Sequence, residues 1–386
     1  MRSGDRTPGL RKGRYNSMKD LFGDLSVIGM KGSEEFTAQV NNYLKSWRGS
    51  TESFIVDCEC PRFGSGEAKG LIHESLRGHD VYIISDVFNY GVTYKMYGQT
   101  VPMSPDDHFA DLKRIIGAIG GKARRINVIM PMLYEGRQHK RSSRESLDCA
   151  YALQELASMG VTNIITFDAH DPRVQNAIPL HGFENVRCTY QMIKAFINTV
   201  DDIDLNNLTI VSPDEGGMGR AMYYSSVLKL DLGMFYKRRN YAVIINGRNP
   251  IEAHEYLGKS VEGKDVIIVD DMISSGDSVI EVAEKLKERG AKRIFTFATF
   301  GLFCNGLENM DKAYEKGLIT KIFTTNLNYR SEEVRNRPWY GEVNMTKFVS
   351  LIIDTLNYDE SLSGLLSPAA KIHTFVENAK AQGKVK

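Results

Sequence analysis

From Leu21 onward the chain alternates short, dense apolar runs with longer stretches in which apolar residues recur every three or four positions. The short runs predict strands: "SFIVDCEC" (53–60), "DVYIIS" (80–85), "INVIMPM" (126–132) and "NIITFDAH" (163–170) in the first half. In the second half "LTIVSPD" (208–214), "GMFYKRR" (233–239), "DVIIVDD" (265–271) and "RIFTFATF" (293–300) do the same. The longer stretches predict helices at "DDHFADLKRIIGAIGG" (106–121), "SRESLDCAYALQELASMG" (143–160), "VIEVAEKLKERG" (279–290) and "KFVSLIIDTL" (347–356). Strands alternating with helices imply an α/β fold of mainly parallel sheets flanked by helices. The two halves share this layout without a readable residue repeat. Ligands in such sheets bind beyond the carboxyl ends of the strands, so the residues after each strand are the ones to read for chemistry.

One strand end is especially informative. In "VIIVDDMISSGDSV" (266–279) four apolar residues are followed by Asp270 and Asp271, then by Ser274, Ser275, Gly276, Asp277 and Ser278, where a helix pattern begins. A helix start presents free N–H groups and the positive end of the helix dipole, which suits an anion. The small residues keep bulk out of its way. The two acids have the wrong charge for a phosphate and suit sugar hydroxyls, or a magnesium ion. A ribose 5-phosphate fits both ends of the segment. The plainer reading is that the serines and Asp277 only cap the helix, but helix capping gives no reason for an acid pair at the strand end.

Composition narrows the class. The 386 residues are enough for two domains, and 42% hydrophobic with 25% charged content is that of a soluble globular protein. A formal charge of +1 gives no basis for a nucleic-acid or membrane partner held by bulk electrostatics. No run approaches the roughly 18 apolar residues that span a bilayer. The five cysteines are scattered, and Cys58 and Cys60 lack a distant partner pair, so neither a zinc site nor a disulfide framework is expected. A reducing, cytoplasmic setting follows. The first twenty residues are basic and rich in Gly and Ser with no apolar core, unlike a secretory signal, and are expected to form a flexible tail.

Four more stretches carry chemistry. "FDAHD" sets His170 just past a strand, and "SPDEGG" ends a strand on Asp214 before a glycine turn. "FYKRRNY" crowds Lys237, Arg238 and Arg239, and "YEGRQHKRSSRES" supplies Arg137, Gln138, His139, Lys140, Arg141 and Arg144. Taken singly, each has a bland reading: a packed histidine, a turn, a solvated basic face. Cations at this density in a near-neutral chain suggest a polyphosphate substrate, and acids with a histidine at strand ends suggest a metal to escort it.

The ordered set resembles the ribose-phosphate pyrophosphokinase (phosphoribosyl-pyrophosphate synthetase) family, from about Val27 to Pro368. "VDDMISSGDSV" looks like its sugar-phosphate loop and "FGSGEAKGLIHESLRGHDVYII" like its adenine-recognition segment. "GRQHK" looks like its ATP contact, "DAHD" and "SPDEGG" like its metal-binding turns, and "YKRR" like its flexible catalytic loop. The resemblance implies two domains of the type I phosphoribosyltransferase-like class, at 21–187 and 188–368, between a basic tail (1–20) and a C-terminal helical extension (369–386). It also implies transfer of a diphosphoryl group from ATP to the 1-hydroxyl of ribose 5-phosphate, with Mg2+ as cofactor. Lys237 and Arg239 would be catalytic, and His170 and Asp214 would hold the metal. Phe63 would stack on adenine, Glu67 would read its edge, and Arg137 and Gln138 would hold the nucleotide. Asp270 and Asp271 would take the ribose hydroxyls, and Ser274 to Ser278 the 5-phosphate. Ser75, Arg77 and Arg144 match allosteric positions, and a homo-oligomer of dimers assembling to a hexamer is implied.

The departures from the family pattern matter too. Ser65 stands where an Asp is usual, "RQH" replaces "RQD", and "DDMISSGDS" replaces a loop like "DDIIDTAGT". These mark a divergent branch and leave two competing readings. One is a phosphoribosyltransferase, whose sugar loop would look much like this one. The other is a catalytically silent homologue that regulates an active synthetase.

Overall fold

The computed structural model describes residues 21–239 and 251–386, and the side chains of these except at 237–239 and 251–254. In chain order the first-half strands are β1 (Asp24–Gly29), β2 (Cys58–Glu59), β3 (Leu71–Ile72), β4 (His79–Ile84), β5 (Thr93–Met96), β6 (Gln99–Pro102), β7 (Arg125–Ile129), β8 (Asn163–Phe167) and β9 (Gly182–Val186). Five of them form a parallel sheet in the order β1-β4-β7-β8-β9, while β2–β3 and β5–β6 are separate antiparallel ribbons. The second half contributes β10 (Leu208–Ser212), β11 (Asp231–Arg239), β12 (Ile251–Leu257), β13 (Asp265–Ile273), β14 (Ile294–Gly301), β15 (Lys321–Thr325) and β16 (Tyr340–Val343). They form one sheet in the order β12-β11-β10-β13-β14-β15-β16, in which only β12 runs antiparallel. This is the α/β architecture of two similar, mainly parallel sheets that the hydrophobic pattern predicts.

The central strands are buried on both faces, as dense β-branched runs require. Ile267 and Ile268 at the middle of β13 have no exposed surface. The two sheets share one apolar cluster, which joins Val27, Tyr82, Ile129 and Phe167 of the first to Ile210, Phe297 and Phe323 of the second. Helices cross between them. The helix Thr189–Thr199 follows β9, yet its Phe196 packs edge-on against Phe295, Phe297 and Phe323 of the second sheet. The helix Thr346–Asn357 follows β16 and returns to the first sheet, where Asp354 pairs with Arg48 at 2.9 Å. The helix Ala369–Ala381 covers the helices Thr189–Thr199 and Met218–Leu228 with Ile372, Val376 and Ala379.

Two expectations are corrected. "SFIVDCEC" is not a full strand: Ile55 makes one bridge to Val27, and the chain then leaves to pair Cys58–Glu59 with Leu71–Ile72. The backbone of this segment is therefore divided between two partners. The helix expected from Ser143 starts at Asp148, because the side chains of Ser142 and Ser143 bond Glu145 and stabilise a turn instead. The basic tail lies outside the described residues.

The return of the last large helix to the first sheet rests on a buried polar cluster. Asp80 is 0% exposed and accepts from Arg125 Nε at 2.8 Å and Nη2 at 2.7 Å. It also accepts from Tyr82, Asn127 and Asn357, and Arg125 donates to the Leu356 carbonyl at 2.7 Å. Such a pair is tolerated because both charged groups are paired and hydrogen-bonded, although the Asn357 Oδ1 beside them has no partner among the described residues. Asp80→Ala removes the compensation for Arg125 and is expected to cost about 3–5 kcal/mol of folding free energy. A shift in the urea midpoint equivalent to less than about 1 kcal/mol would show that the cluster does not hold the helix.

Candidate active site

The carboxyl ends of the two sheets face each other. After β8 the backbone turns through Asp168, whose φ of 39° lies in the left-handed region that Asp tolerates better than most residues. Its Oδ2 accepts from the Cys188 amide at 3.1 Å and from Thr299 Oγ1 of β14 at 2.7 Å. The next amide, of Ala169, donates to Asn185 Oδ1 at 2.9 Å. The loop is thereby held against the second sheet, and it presents His170 to the end of β13. There His170 Nδ1 lies 2.9 Å from Asp271 Oδ2.

Arg220, on the first turn of the helix Met218–Leu228, lies 3.7 Å from Asp271 Oδ1 and 3.9 Å from Asp270 Oδ1. The Asp270 carboxylate folds back to accept the Asp271 amide at 2.8 Å. The two acids differ in character as a result. Burial opposes the charge on Asp271, but the His170 hydrogen bond and the Arg220 cation outweigh it and hold its pKa at about 2. Burial, and then the neighbouring Asp271 charge, push Asp270 well above the usual carboxylate range. The hydrogen bond to Asp271 is also the main cause that raises His170, with Asp214 adding to it.

His170 forms a wall between two cavities. One is lined by Glu135, Gly136, Arg137, Asp271, Met272 and Phe300, the other by Asn185, Arg187, Thr189, Gly216, Arg220 and Tyr223. Asp214 is exposed beside them, with Oδ1 accepting the Gly217 amide at 3.0 Å. The structure thus brings together Arg137, His170, Asp214, Asp270 and Asp271. Sequence reasoning did not single out Arg220, although its place as the last residue of "SPDEGGMGR", on the first helical turn, was a usable signal.

The small-residue loop follows directly. Ser274 and Ser275 lead from β13 to Gly276, which caps the helix Asp277–Glu288 with a φ of +93°. The Cys304 amide donates to the Ser274 carbonyl at 2.8 Å, and the Asp277 amide donates weakly to Ser275 Oγ at 3.4 Å. Asp277 and Ser278 are exposed at the first two helical positions.

Other candidates fall elsewhere. Phe63, 56% exposed, and Glu67 lie on the hairpin between β2 and β3, which contributes no residue to either cavity. Ser65 Oγ donates to Glu67 Oε2 at 2.9 Å, so that carboxylate is engaged within its own turn. Gln138 points away, its Nε2 donating to the Ser146 carbonyl at 2.8 Å. Ser75 and Arg77 precede β4, whereas Arg144 follows β7, so they lie at opposite ends of a parallel sheet. The "YKRR" run continues β11, pairing Lys237 with His254 in the β12 strand; the side chains of Lys237 and Arg239 lie outside the described residues.

The donor set suits a hard divalent cation that arrives already partly coordinated. Among the described residues no group of three or more His, Cys, Asp and Glu side chains could hold a metal by itself. His170 keeps Nε2 available because Nδ1 is bonded to Asp271, and Asp214 adds a carboxylate. Two protein donors are enough for magnesium, which retains waters and shares phosphate oxygens.

Comparison with known proteins places this geometry in a class. Residues 25–160 match the model for the N-terminal domain of ribose phosphate pyrophosphokinase, and residues 188–330 match the phosphoribosyl transferase domain. The structure of phosphoribosylpyrophosphate synthetase from Mycobacterium smegmatis superposes with a TM-score of 0.71 at 20% identity, over 86% of this chain and 98% of that one. The fold is therefore that of two phosphoribosyltransferase-type domains in tandem. Ribose-phosphate pyrophosphokinase of Vibrio parahaemolyticus is 28% identical over 81% of this chain and 92% of its own length. The Ureaplasma parvum enzyme of that name is 27% identical over 82% and 86%. The chain belongs to the ribose-phosphate pyrophosphokinase family.

Gly276 tests the loop. A Cβ there would adopt a disfavoured φ and collide with Met310 Cε. Gly276→Ala is expected to cost on the order of 1–2 kcal/mol of stability, and Ser275→Ala less than about 0.5 kcal/mol. Thermal unfolding of the two variants decides it, and equal losses would contradict the assigned loop conformation.

Proposed function

We propose that the protein transfers the diphosphoryl group of ATP to the 1-hydroxyl of ribose 5-phosphate, giving 5-phosphoribosyl 1-diphosphate and AMP. One observation carries this reading within the family: His170, Asp214, Arg220, the Asp270–Asp271 pair and an open glycine-capped helix start share one cleft between two sheets. Arg137 and Arg220 offer charge to a polyphosphate. Asp270 suits a sugar hydroxyl, and the amides at the start of the helix Asp277–Glu288 suit the 5-phosphate. Magnesium, held by His170 Nε2 and Asp214, would neutralise part of the triphosphate charge when bound.

The attack would run from the anomeric oxygen to the β-phosphorus, in line with the departing AMP. Little covalent work falls to the protein in such a transfer, so its residues contribute positioning and charge. Lys237 and Arg239 are assigned from the family resemblance, to meet charge building on the bridging and equatorial oxygens. Phe63 and Glu67 would serve a neighbouring subunit; the exposure of Phe63, on a hairpin away from both cavities, supports an oligomer, here proposed as dimers forming a hexamer. Ser75, Arg77 and Arg144 could meet only across such an interface, where they would bind an allosteric phosphate. Among the described residues no helix is long and apolar enough to cross a membrane, and the cysteines are unpaired. The unpaired thiols support a cytoplasmic setting.

Incubation of the pure protein with ATP, magnesium and ribose 5-phosphate is expected to release AMP. AMP formation only when adenine and 5-phosphoribosyl 1-diphosphate are supplied in place of these substrates would indicate a transferase, and no release with either set would leave a silent homologue. Lys237→Ala is expected to lower turnover on the order of 10³-fold with ATP affinity nearly unchanged. Turnover within tenfold of the parent would remove Lys237 from its role.

Ser65 bears on nucleotide choice. Without the usual Asp at this position, and with Glu67 bonded to Ser65, adenine's amino group loses an acceptor. Discrimination between ATP and GTP should be weak, and Ser65→Asp should sharpen it. Strong rejection of GTP by the parent would show that another residue reads the amino group.

A further inference from the structure

The acid pair at the end of β13 reads from sequence as two equivalent hydroxyl acceptors, but the structure treats its members differently. Asp271 is 4% exposed, and both of its oxygens face protein groups. Oδ2 lies 2.9 Å from His170 Nδ1, and Oδ1 lies 3.7 Å from Arg220 Nη1. The Asp270 side chain is 23% exposed, and its Oδ1 is bonded to the Asp271 amide. The Asp271 side chain is only 6% exposed, so Asp270 is the member of the pair whose carboxylate is accessible to a ligand.

We infer that Asp271 is a positioning residue that orients His170 across the junction of the two sheets, and that contact with the sugar hydroxyls falls to Asp270. The inference rests on the proposed reading of the site and divides its labour. An imidazole has one proton to place when neutral. With Nδ1–H donated to a buried carboxylate, the lone pair is fixed on Nε2 and the ring cannot rotate freely. Arg220 plays the corresponding part for Asp271, holding its second oxygen by charge at a distance short of a hydrogen bond.

The arrangement has a functional consequence. His170 belongs to the loop after β8 of the first sheet, while Asp271 is adjacent in the chain to the sugar-binding acid and three residues before the small-residue loop. Movement of the sugar loop therefore moves the carboxylate that aims the imidazole. The geometry links the metal–nucleotide end of the site to the sugar end through one side chain.

Five full-length variants test this: Asp270→Ala, Asp271→Ala, Asp271→Asn, His170→Ala and the Asp271→Ala/His170→Ala double variant. Binding of Mn2+–ATP is followed by electron paramagnetic resonance of free Mn2+, and ribose 5-phosphate binding by calorimetry. Asp271→Ala is expected to weaken Mn2+–ATP about tenfold, as His170→Ala does, with no further loss in the double variant. Asp271→Asn keeps an acceptor for Nδ1–H and should remain within about threefold of the parent. Ribose 5-phosphate affinity should fall less in Asp271→Ala than in Asp270→Ala. The nitrogen resonances of His170, in protein with 15N-labelled histidine at alkaline pH, should report a proton on Nδ1 in the parent. Loss of that signature in Asp271→Ala with an unchanged melting temperature separates orientation from folding.

Additive losses in the double variant would overturn the inference. So would a parent His170 protonated on Nε2, even if Asp271→Ala failed to fold. A loss of sugar affinity with Mn2+–ATP unchanged would return Asp271 to the sugar. A parent that binds no ribose 5-phosphate would defeat the proposed function instead, while the Asp271–His170 cycle in Mn2+–ATP binding would still be readable.

Discussion

The buried carboxylate of Asp168 is the contact on which the site depends. It receives the Cys188 amide and the Thr299 hydroxyl, and so ties the end of β8 to the start of the helix Thr189–Thr199 and to β14 of the other sheet. Within two residues of this anchor stands His170, whose distance to Asp271 is meaningful only if the two sheets keep a fixed spacing. A second tie of the same kind exists at Asp86, which accepts the Phe88 amide at 3.1 Å and the Tyr329 amide at 2.6 Å. Burial is the first cause that pushes Asp86 up to about 6, with its two backbone bonds opposing the rise. Both anchors sit at carboxyl ends of strands, where parallel sheets expose unpaired backbone groups that need partners. The polar contacts that satisfy these groups also hold the halves together.

The helices make that spacing hard to change. Each half lends a helix to the other: Thr189–Thr199 runs from β9 to the second sheet, and Thr346–Asn357 runs from β16 to the first. An ordinary two-domain protein can open about a linker, but here opening would expose the Phe196 ring cluster and break the Asp80 network together. The site is consequently built on a rigid frame, as a positioning catalyst requires. The glycine-capped helix start departs from regular geometry at a place where the backbone is held by the Cys304 amide.

The central strands were legible because parallel strands buried on both faces must be dense in apolar residues. Edge strands obey no such rule. The edge strand β9, "GFENV", carries Glu184 and Asn185, and the edge strand β16 is only "YGEV"; β15, one place in from that edge, is only "KIFTT", so each lacks a pattern strong enough to separate from loop. Helix starts were blurred for a different reason, since the serines and acids before Asp148 suit a turn and a first helical turn equally well. At the site, the residue types were legible, and their pairing was not. His170 and Asp271 are 101 positions apart, and no spacing rule links a residue after one strand to a residue after another in a second sheet. Two adjacent acids on one strand look equivalent in sequence, whereas in the fold both lie near Arg220 but only Asp271 is buried against the loop after β8. One meets His170 and the other does not.

The charge balance of the cleft sets a condition on what enters it. Arg137, Arg187 and Arg220 oppose Asp214, Asp270 and Asp271, and the pair at the end of β13 already consumes much of the Arg220 field. Arg187 stacks over Tyr223 at 4.1 Å, which leaves its guanidinium edge open to a second partner. A bare polyphosphate would meet these carboxylates, and Glu135 with them, as well as the guanidinium groups, and Asp277 would face a phosphate at the helix start. Attraction by the chain's own cations is therefore largely offset. A polyphosphate that carries its own divalent ion reverses the sign at Asp214, which then attracts the complex it would otherwise repel. On the proposed function, near-neutral net charge and a metal-escorted ligand are two sides of one electrostatic design, in which the acids would select the complexed form of the ligand over the free one.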